Sequence, residues 1–111
     1  MPDEDKKRAA HRDLVDRVLN GEGRASAEQR ARAFSNDGLA PPLHALIGKV
    51  ATRPAQVTEA DFAAAKALGF SEDQLFELVI CAAVGQSARL YEAGLAALAA
   101  ATVNGTPDNA T

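Results

Sequence analysis

The sequence contains few of the residues that most often carry chemistry or link segments covalently. It has no Trp, one Tyr, one Met, two His and one Cys among 111 residues. A single cysteine cannot form a disulfide within the chain, and it excludes a Cys-x-x-Cys redox pair. His11, His44 and Cys81 are widely separated and show no metal-ligand spacing. We therefore predict neither a metal nor a cofactor.

Long apolar runs are also missing. No segment approaches the roughly 20 apolar residues that a membrane span needs, and residues 1–13 lack the apolar centre of a signal peptide. The formal net charge of −3 argues against nucleic-acid binding, because phosphate contacts need a basic field. The basic residues near the start alternate with acidic ones, which indicates a solvated face. We expect a cytoplasmic protein that binds neither membranes nor nucleic acids.

Alanine is the residue in excess, with 25 copies. Alanine is the strongest helix former, and no segment shows the period-two alternation of a strand. Apolar residues spaced three or four apart predict helices over residues 9–20, 26–36, 42–52, 59–68 and 71–101. The sequence thus predicts an all-α fold with one long C-terminal core helix. One domain, residues 9–102, would lie between a disordered segment, 1–8, and a flexible tail, 103–111.

Capping signals mark where three of these helices begin. A Ser or Thr followed three residues later by Gln or Asp is typical of a capping box, in which two side chains bond each other's backbone N–H. The three pairs are Ser26 with Gln29, Thr58 with Asp61, and Ser71 with Gln74. Gly69 stands at the preferred position just after a helix end.

The last predicted helix organises the chain. Its apolar residues form two stripes, and between Leu75 and Val84 the only charge is Glu77. A helix that is apolar nearly all round is covered on most of its surface. We therefore predict the core helix of the domain and a seam to another subunit, as one long helix or as two helices nearly in line with a soft point at Gly85. Gly85 also lies in a patch of small residues, which is interpreted as a packing seam within the chain or between subunits. The first stripe is Phe76, Ile80, Val84, Ser87, Tyr91, Leu95, Leu98; the second is Leu75, Leu78, Val79, Ala82, Ala83.

Glu77 is the first candidate for chemistry, because a carboxylate on an apolar helix needs a partner or a proton. His44, Lys49 and Arg53 are the partners that the preceding segments offer. One interpretation is an ion pair that fixes the helix register; the other is a general acid or base with a raised pKa. Cys81 is interpreted as a buried packing residue, and the alternative is a single peroxidatic thiolate.

His44 and Arg89 complete the candidate residues. His44 lies just off the apolar face of its helix, and a lone His is more often a surface or capping residue than a ligand. Arg89 has Gln86 and Glu92 each three residues away, which indicates a polar face within the helix. The alternative for Arg89 is a contact with an anion in a cleft.

Two segments resemble a known family. KVATRPAQVTEADF from Lys49 and ALGFSEDQLFELV from Ala67 are similar to the carboxymuconolactone decarboxylase and alkylhydroperoxidase-D-like superfamily, and the match covers about residues 43–98. Ser87 and Arg89 partly echo an Asn-Arg pair of that family. The resemblance implies an all-helical fold that assembles as dimers, trimers or hexamers. The Cys-x-x-Cys of the peroxidase members is missing, so thiol peroxidase chemistry does not carry over.

Two functions from different classes are consistent with these features. The first is a homo-oligomeric binding or accessory module of this superfamily, assembled through the long helix, with an unknown ligand. The second is a cofactor-independent enzyme, decarboxylase- or peroxidase-like, in which Glu77, His44 and Arg89 transfer protons at a subunit-interface pocket. A DNA-binding regulator is the weakest hypothesis, because Pro41 and Pro42 lengthen the connection that a helix-turn-helix keeps short.

Overall fold

A computed structural model of the chain describes residues 2–104. It contains no strand in that range, which confirms the all-α prediction with five α-helices and a long C-terminal helix. The elements are α1 (Pro2–Asn20), α2 (Ala27–Ser35), α3 (Pro41–Thr52), a 3-10 turn (Pro54–Gln56), α4 (Glu59–Lys66) and α5 (Glu72–Asn104).

The predicted helix starts are confirmed by hydrogen bonds at the caps. The Ser26 hydroxyl accepts from the Gln29 N–H at 3.1 Å. Ser71 and Gln74 satisfy each other's backbone N–H at 2.9 and 3.1 Å, and Thr58 forms the same box with Asp61. These bonds need only residues three apart, so the local sequence determines where α2, α4 and α5 begin.

Three predicted boundaries need correction. α1 begins at Pro2, seven residues before the predicted start of the first helix. Proline suits a first helical turn, and the acidic residues that follow it favour the positive end of the helix dipole. α4 ends at Lys66, two residues early. α5 runs to Asn104 without a break at Gly85, and residues 105–111 of the predicted tail lie outside the described residues.

The core surrounds the first half of α5. The largest fully buried side chains come from α3 and α5. α2 adds Ala33 and α4 adds Ala65, both completely buried. Small residues on the two shorter helices allow them to approach the central pair closely. The large buried residues are Leu43, Leu46, Ile47, Leu75, Leu78 and Cys81.

α2 and α5 approach each other closely at Gly85. A β-carbon added at Gly85 would collide with the backbone of Phe34. Gly85 is therefore a packing contact within the chain, one of the two alternatives predicted for its patch of small residues, and not a soft point in the helix. α2 presents Arg30 and Ala33 to the core, while Ala27 and Ala31 are exposed.

The molecule is elongated because α5 extends past the core. The radius of gyration is 17.6 Å, compared with about 13 Å for a compact domain of this length. Residues 96–101 are all exposed. Within residues 2–104, no helix combines the length and apolar character that a membrane crossing requires.

Candidate functional site

Glu77 faces the link between α1 and α2. Its two carboxylate oxygens accept hydrogen bonds from the backbone N–H of Arg24 at 2.9 and 2.8 Å. One of these oxygens also accepts from the N–H of Ala25 at 2.9 Å. The carboxylate therefore ties a segment that is distant in sequence to the first half of α5.

Arg30 holds the same link from the other side. It is 6% exposed, and its Nε donates to the carbonyl of Ala25 at 3.1 Å. Its Nη1 donates to the carbonyl of Gly21, and its Nη2 lies 3.6 Å from Oε1 of Glu77. We call this arrangement, Arg30 and Glu77 with the backbone of residues 21–25, the Arg30–Glu77 clamp.

Gly23 lies against the two side chains of the clamp, so a larger residue here would displace one of them. A β-carbon at this position would lie 2.5 Å from both Nη2 of Arg30 and Oε1 of Glu77. Neither Arg30 nor Gly23 was predicted from the sequence to be a site residue. The available sequence signal for the clamp is the presence of Gly21 and Gly23 in the link before Arg30. Glycine allows a backbone to approach a side chain closely.

The clamp determines the protonation of Glu77. Burial raises the pKa of Glu77, but the hydrogen bonds from Arg24 and Ala25 and the charge of Arg30 outweigh it and leave the pKa below its ordinary value. The ion-pair interpretation therefore fits, with a different partner from those predicted. Lys49 instead pairs with Asp61 at 3.0 Å. The general acid or base interpretation needs a raised pKa, which is the opposite shift.

Cys81 lies beside the clamp in the core. It is 1% exposed, and its Sγ is 3.5 Å from the carbonyl oxygen of Val18, to which the thiol donates. Burial raises the pKa of the Cys81 thiol, and the charge of Glu77 raises it further, against the opposing charge of Arg30. A protonated, enclosed thiol is a poor nucleophile, so this environment suits packing.

Arg89 closes the C-terminal end of α2. Its Nη1 donates to the carbonyl of Phe34 at 2.7 Å, one of the carbonyls that a helix end leaves without an intrahelical donor. Its Nε and Nη2 donate to Oε1 of Gln86 at 3.3 and 3.0 Å. Arg89 therefore joins α5 to α2, next to the close contact at Gly85.

The three candidate catalytic residues do not form one site. Glu77 and Arg89 are twelve residues apart on a continuous helix, which is about 18 Å along its axis. His44 is exposed on α3. Among residues 2–104, no hydrogen bond or ion pair connects any two of the three. In the same range, no three His, Cys, Asp or Glu side chains are grouped to hold a metal ion.

An apolar groove opens between α4 and the start of α5. Its volume is about 680 Å³. Phe76 on its wall is 66% exposed, and on its rim Lys66 pairs with Glu72 at 2.6 Å. None of the three candidate catalytic residues lines it. The lining residues are Glu59, Phe62, Ala63, Lys66, Glu72, Asp73, Leu75, Phe76 and Val79.

A charge-free face of α5 continues from this groove along the helix. Eight positions, spaced alternately four and three residues apart, are all exposed. We call them the outer stripe. Its large members Phe76, Ile80 and Leu90 are 66, 37 and 64% exposed. The members are Phe76, Ile80, Ala83, Ser87, Leu90, Gly94, Ala97 and Ala101.

The first stripe predicted for this helix is thus divided between two surroundings. Phe76, Ile80, Ser87 and Leu98 are exposed, whereas its other members are half-buried. One of those, Tyr91, packs against His11 of α1, with the ring centroids 4.5 Å apart and the ring planes tilted by 41°. The helices α1, α2 and α3, together with α4 near its start, pack against the other sides of α5.

No protein-family model matches the chain, and no curated protein or solved structure is significantly similar to it. The function is therefore inferred from this molecule's own geometry. The resemblance to the carboxymuconolactone decarboxylase and alkylhydroperoxidase-D-like superfamily stays a prediction from two sequence segments.

Proposed function

We propose that this chain is a non-catalytic helical module that assembles with copies of itself through the outer stripe of α5. The exposed, charge-free stripe is the observation that carries the proposal. Contiguous apolar surface of this kind marks interaction sites in soluble proteins. Glu77 and Arg89, the charged groups that the sequence offers for chemistry on α5, are already engaged in joining helices.

The end of α5 supports the same proposal. Residues 96–101 are all exposed, and a short helical segment that buries little surface is only marginally stable in water. Leu98 within it is 65% exposed. Contact with a second copy would bury this apolar side chain and stabilise the last turns of the helix.

The sequence resemblance supports both the self-assembly and the non-catalytic role. The superfamily it suggests forms homo-oligomers, and a member without Cys-x-x-Cys would lack the thiol peroxidase reaction. Membership of that superfamily, as a binding or accessory protein in the cytoplasm, is part of this proposal.

Light scattering coupled to size exclusion tests the assembly. We expect the wild-type chain to elute as an oligomer at micromolar concentration and Leu90→Glu to elute as a monomer. The matched control is Leu14→Glu, because Leu14 is a 47% exposed leucine on α1, away from the stripe. Circular dichroism of each variant checks that it is folded. A monomeric wild type, or equal effects of both substitutions, would overturn the proposal.

A second candidate function is the binding of an apolar small molecule in the α4–α5 groove. Its volume of about 680 Å³ lies in the range of roughly 300–1,000 Å³ that is usual for ligand pockets. The fluorescent apolar probe N-phenyl-1-naphthylamine tests it. We expect enhanced fluorescence with the wild type, loss of it in Ala63→Gln, which fills the groove, and no loss in the neighbouring control Ala64→Gln. No enhancement with the wild type rejects this candidate.

A further inference from the structure

We infer that the outer stripe binds a second copy of α5 running antiparallel, about a two-fold axis that passes between Ser87 and Leu90. This inference rests on the proposed self-assembly and specifies its partner surface and register. Its evidence is the order of side-chain sizes along the stripe, the position of the acidic residues of α5 and the length of the exposed face.

The outer stripe has the same spacing when read in either direction. Spacings of four and three residues alternate along it, as at the contact positions of a coiled coil. Because this order is palindromic, a two-fold axis at its centre sets each stripe residue opposite another stripe residue. The opposed pairs are Phe76 with Ala101, Ile80 with Ala97, Ala83 with Gly94, and Ser87 with Leu90.

The side-chain sizes favour this antiparallel register. In each opposed pair the larger side chain meets a smaller one, which is the arrangement that fills space without voids. A parallel register would instead set Phe76 against Phe76 and Gly94 against Gly94, with a bulge at one level and a gap at the other.

The charges favour the same direction. The first turn of α5 carries Glu72 and Asp73, and a parallel pair would bring both acidic ends together. The antiparallel pair sets them about 50 Å apart along the helix axis. It also places the positive end of each helix dipole beside the negative end of the other, which is the attractive orientation.

The length of the stripe is sufficient for an interface. From Phe76 to Ala101 it spans about 38 Å. A face about 100° wide over that length buries roughly 500 Å² on each helix. The total of about 1,000 Å² equals the lower limit of the area expected of a biological interface. In this arrangement the exposed end of one α5 covers the groove beside Phe76 of the other.

A double-cysteine variant tests the register directly. Ala83 is exposed and nothing lies within 4 Å of a β-carbon at Gly94, so Ala83→Cys with Gly94→Cys fits the folded chain. The two positions are about 16 Å apart on one rigid helix, which excludes a disulfide within the chain. After mild oxidation, peptide mapping by mass spectrometry identifies the bonds formed between chains. The wild type, whose only thiol is the buried Cys81, is the control.

We expect a disulfide that joins position 83 of one chain to position 94 of the other. Bonds that join 83 to 83 and 94 to 94 would overturn the antiparallel register and leave self-assembly standing. An oligomer by light scattering that forms no bond at these positions would overturn the use of the outer stripe. A monomer that forms no bond would overturn the proposed function as well.

A size exchange provides a second test that does not depend on oxidation. In the dimer, Ile80 of each chain faces Ala97 of the other. Ile80→Ala leaves a small residue against a small one at both places, and Ala97→Ile sets a large residue against a large one. We expect each substitution to raise the dissociation constant at least about tenfold. The combined variant restores a large residue against a small one at both places, and we expect recovery to near the wild-type constant. Additive weakening in the combined variant would contradict the pairing of these positions.

Discussion

The Nη2 atom of Arg30 lies 3.6 Å from Oε1 of Glu77, with the link between α1 and α2 held between the two side chains. Each residue also bonds the backbone of that link, Glu77 through N–H groups and Arg30 through carbonyls. The pair therefore satisfies both backbone N–H and backbone C=O groups of a link that has no regular secondary structure. This explains why a charged residue is tolerated next to the core.

Glu77→Gln is expected to destabilise the chain by about 1–3 kcal/mol. The amide removes the charge that faces Arg30 and replaces one acceptor oxygen by an NH₂ group, so at least one of the three hydrogen bonds from the backbone N–H groups of Arg24 and Ala25 is lost. Urea unfolding followed by circular dichroism measures the loss. Glu92→Gln, an exposed position on the same helix, is the matched control. Equal stability of the two variants would show that the clamp contributes nothing.

The stability is expected to decrease in acid partly through Glu77. The hydrogen bonds of the clamp hold the pKa of Glu77 below its ordinary value of about 4.3. The unfolded chain therefore binds the proton more readily, and the stabilisation present above that value is lost as the pH falls through the folded pKa. Urea unfolding from neutral to acidic pH measures this loss.

Glu77→Gln provides the control for the pH dependence. Hydrogen bonds to Thr58 and Lys49 lower the pKa of Asp61, and a hydrogen bond to Lys66 lowers the pKa of Glu72. The stability of the variant should therefore still decrease to some extent in acid. We expect the wild type and the variant to converge in stability as the pH falls. Curves that stay parallel over the whole range would mean that the pKa of Glu77 is not lowered.

The helix starts could be predicted from the sequence, but the contacts of Glu77 could not. A capping box needs residues three apart, so Thr58 and Asp61 are sufficient to identify the start of α4. The clamp needs Arg30, which lies far from Glu77 in sequence and belongs to a residue type that is rarely buried. Only the packing of α2 against α5 brings the two together.

The side of α5 that faces the core could not be predicted from the sequence either. The sequence from Leu75 to Val84 is apolar nearly all round, so periodicity cannot identify the arc that the other helices cover. The structure places Leu78 and Ala82 inside and Ile80 outside. The choice depends on where α2 and α3 dock, and the close contact at Gly85 determines the position of α2.

Gly85→Ala is expected to destabilise the chain by about 1–3 kcal/mol, because the new methyl group collides with the backbone of Phe34 and the helices must separate. The matched control is Gly48→Ala in α3, where the added β-carbon meets only Asn36 Oδ1 at 3.8 Å. Alanine loses less conformational freedom than glycine when the helix forms, so the control variant should be more stable than the wild type by about 0.5–1 kcal/mol. Thermal unfolding shows whether each substitution lowers or raises the stability. A Gly85→Ala variant that is more stable than the wild type would contradict the close contact.

Cys81 is expected to react slowly with thiol reagents in the folded protein. The thiol is buried, and burial raises its pKa, so both access and thiolate content are reduced. The measurement is the rate of release of thionitrobenzoate from Ellman's reagent, with free cysteine and the urea-unfolded chain as references. We expect the unfolded chain to approach the rate of free cysteine and the native chain to react at least about a hundredfold more slowly, since reaction requires local opening. A native rate close to that of free cysteine would instead support an accessible thiol and reopen the peroxidatic interpretation.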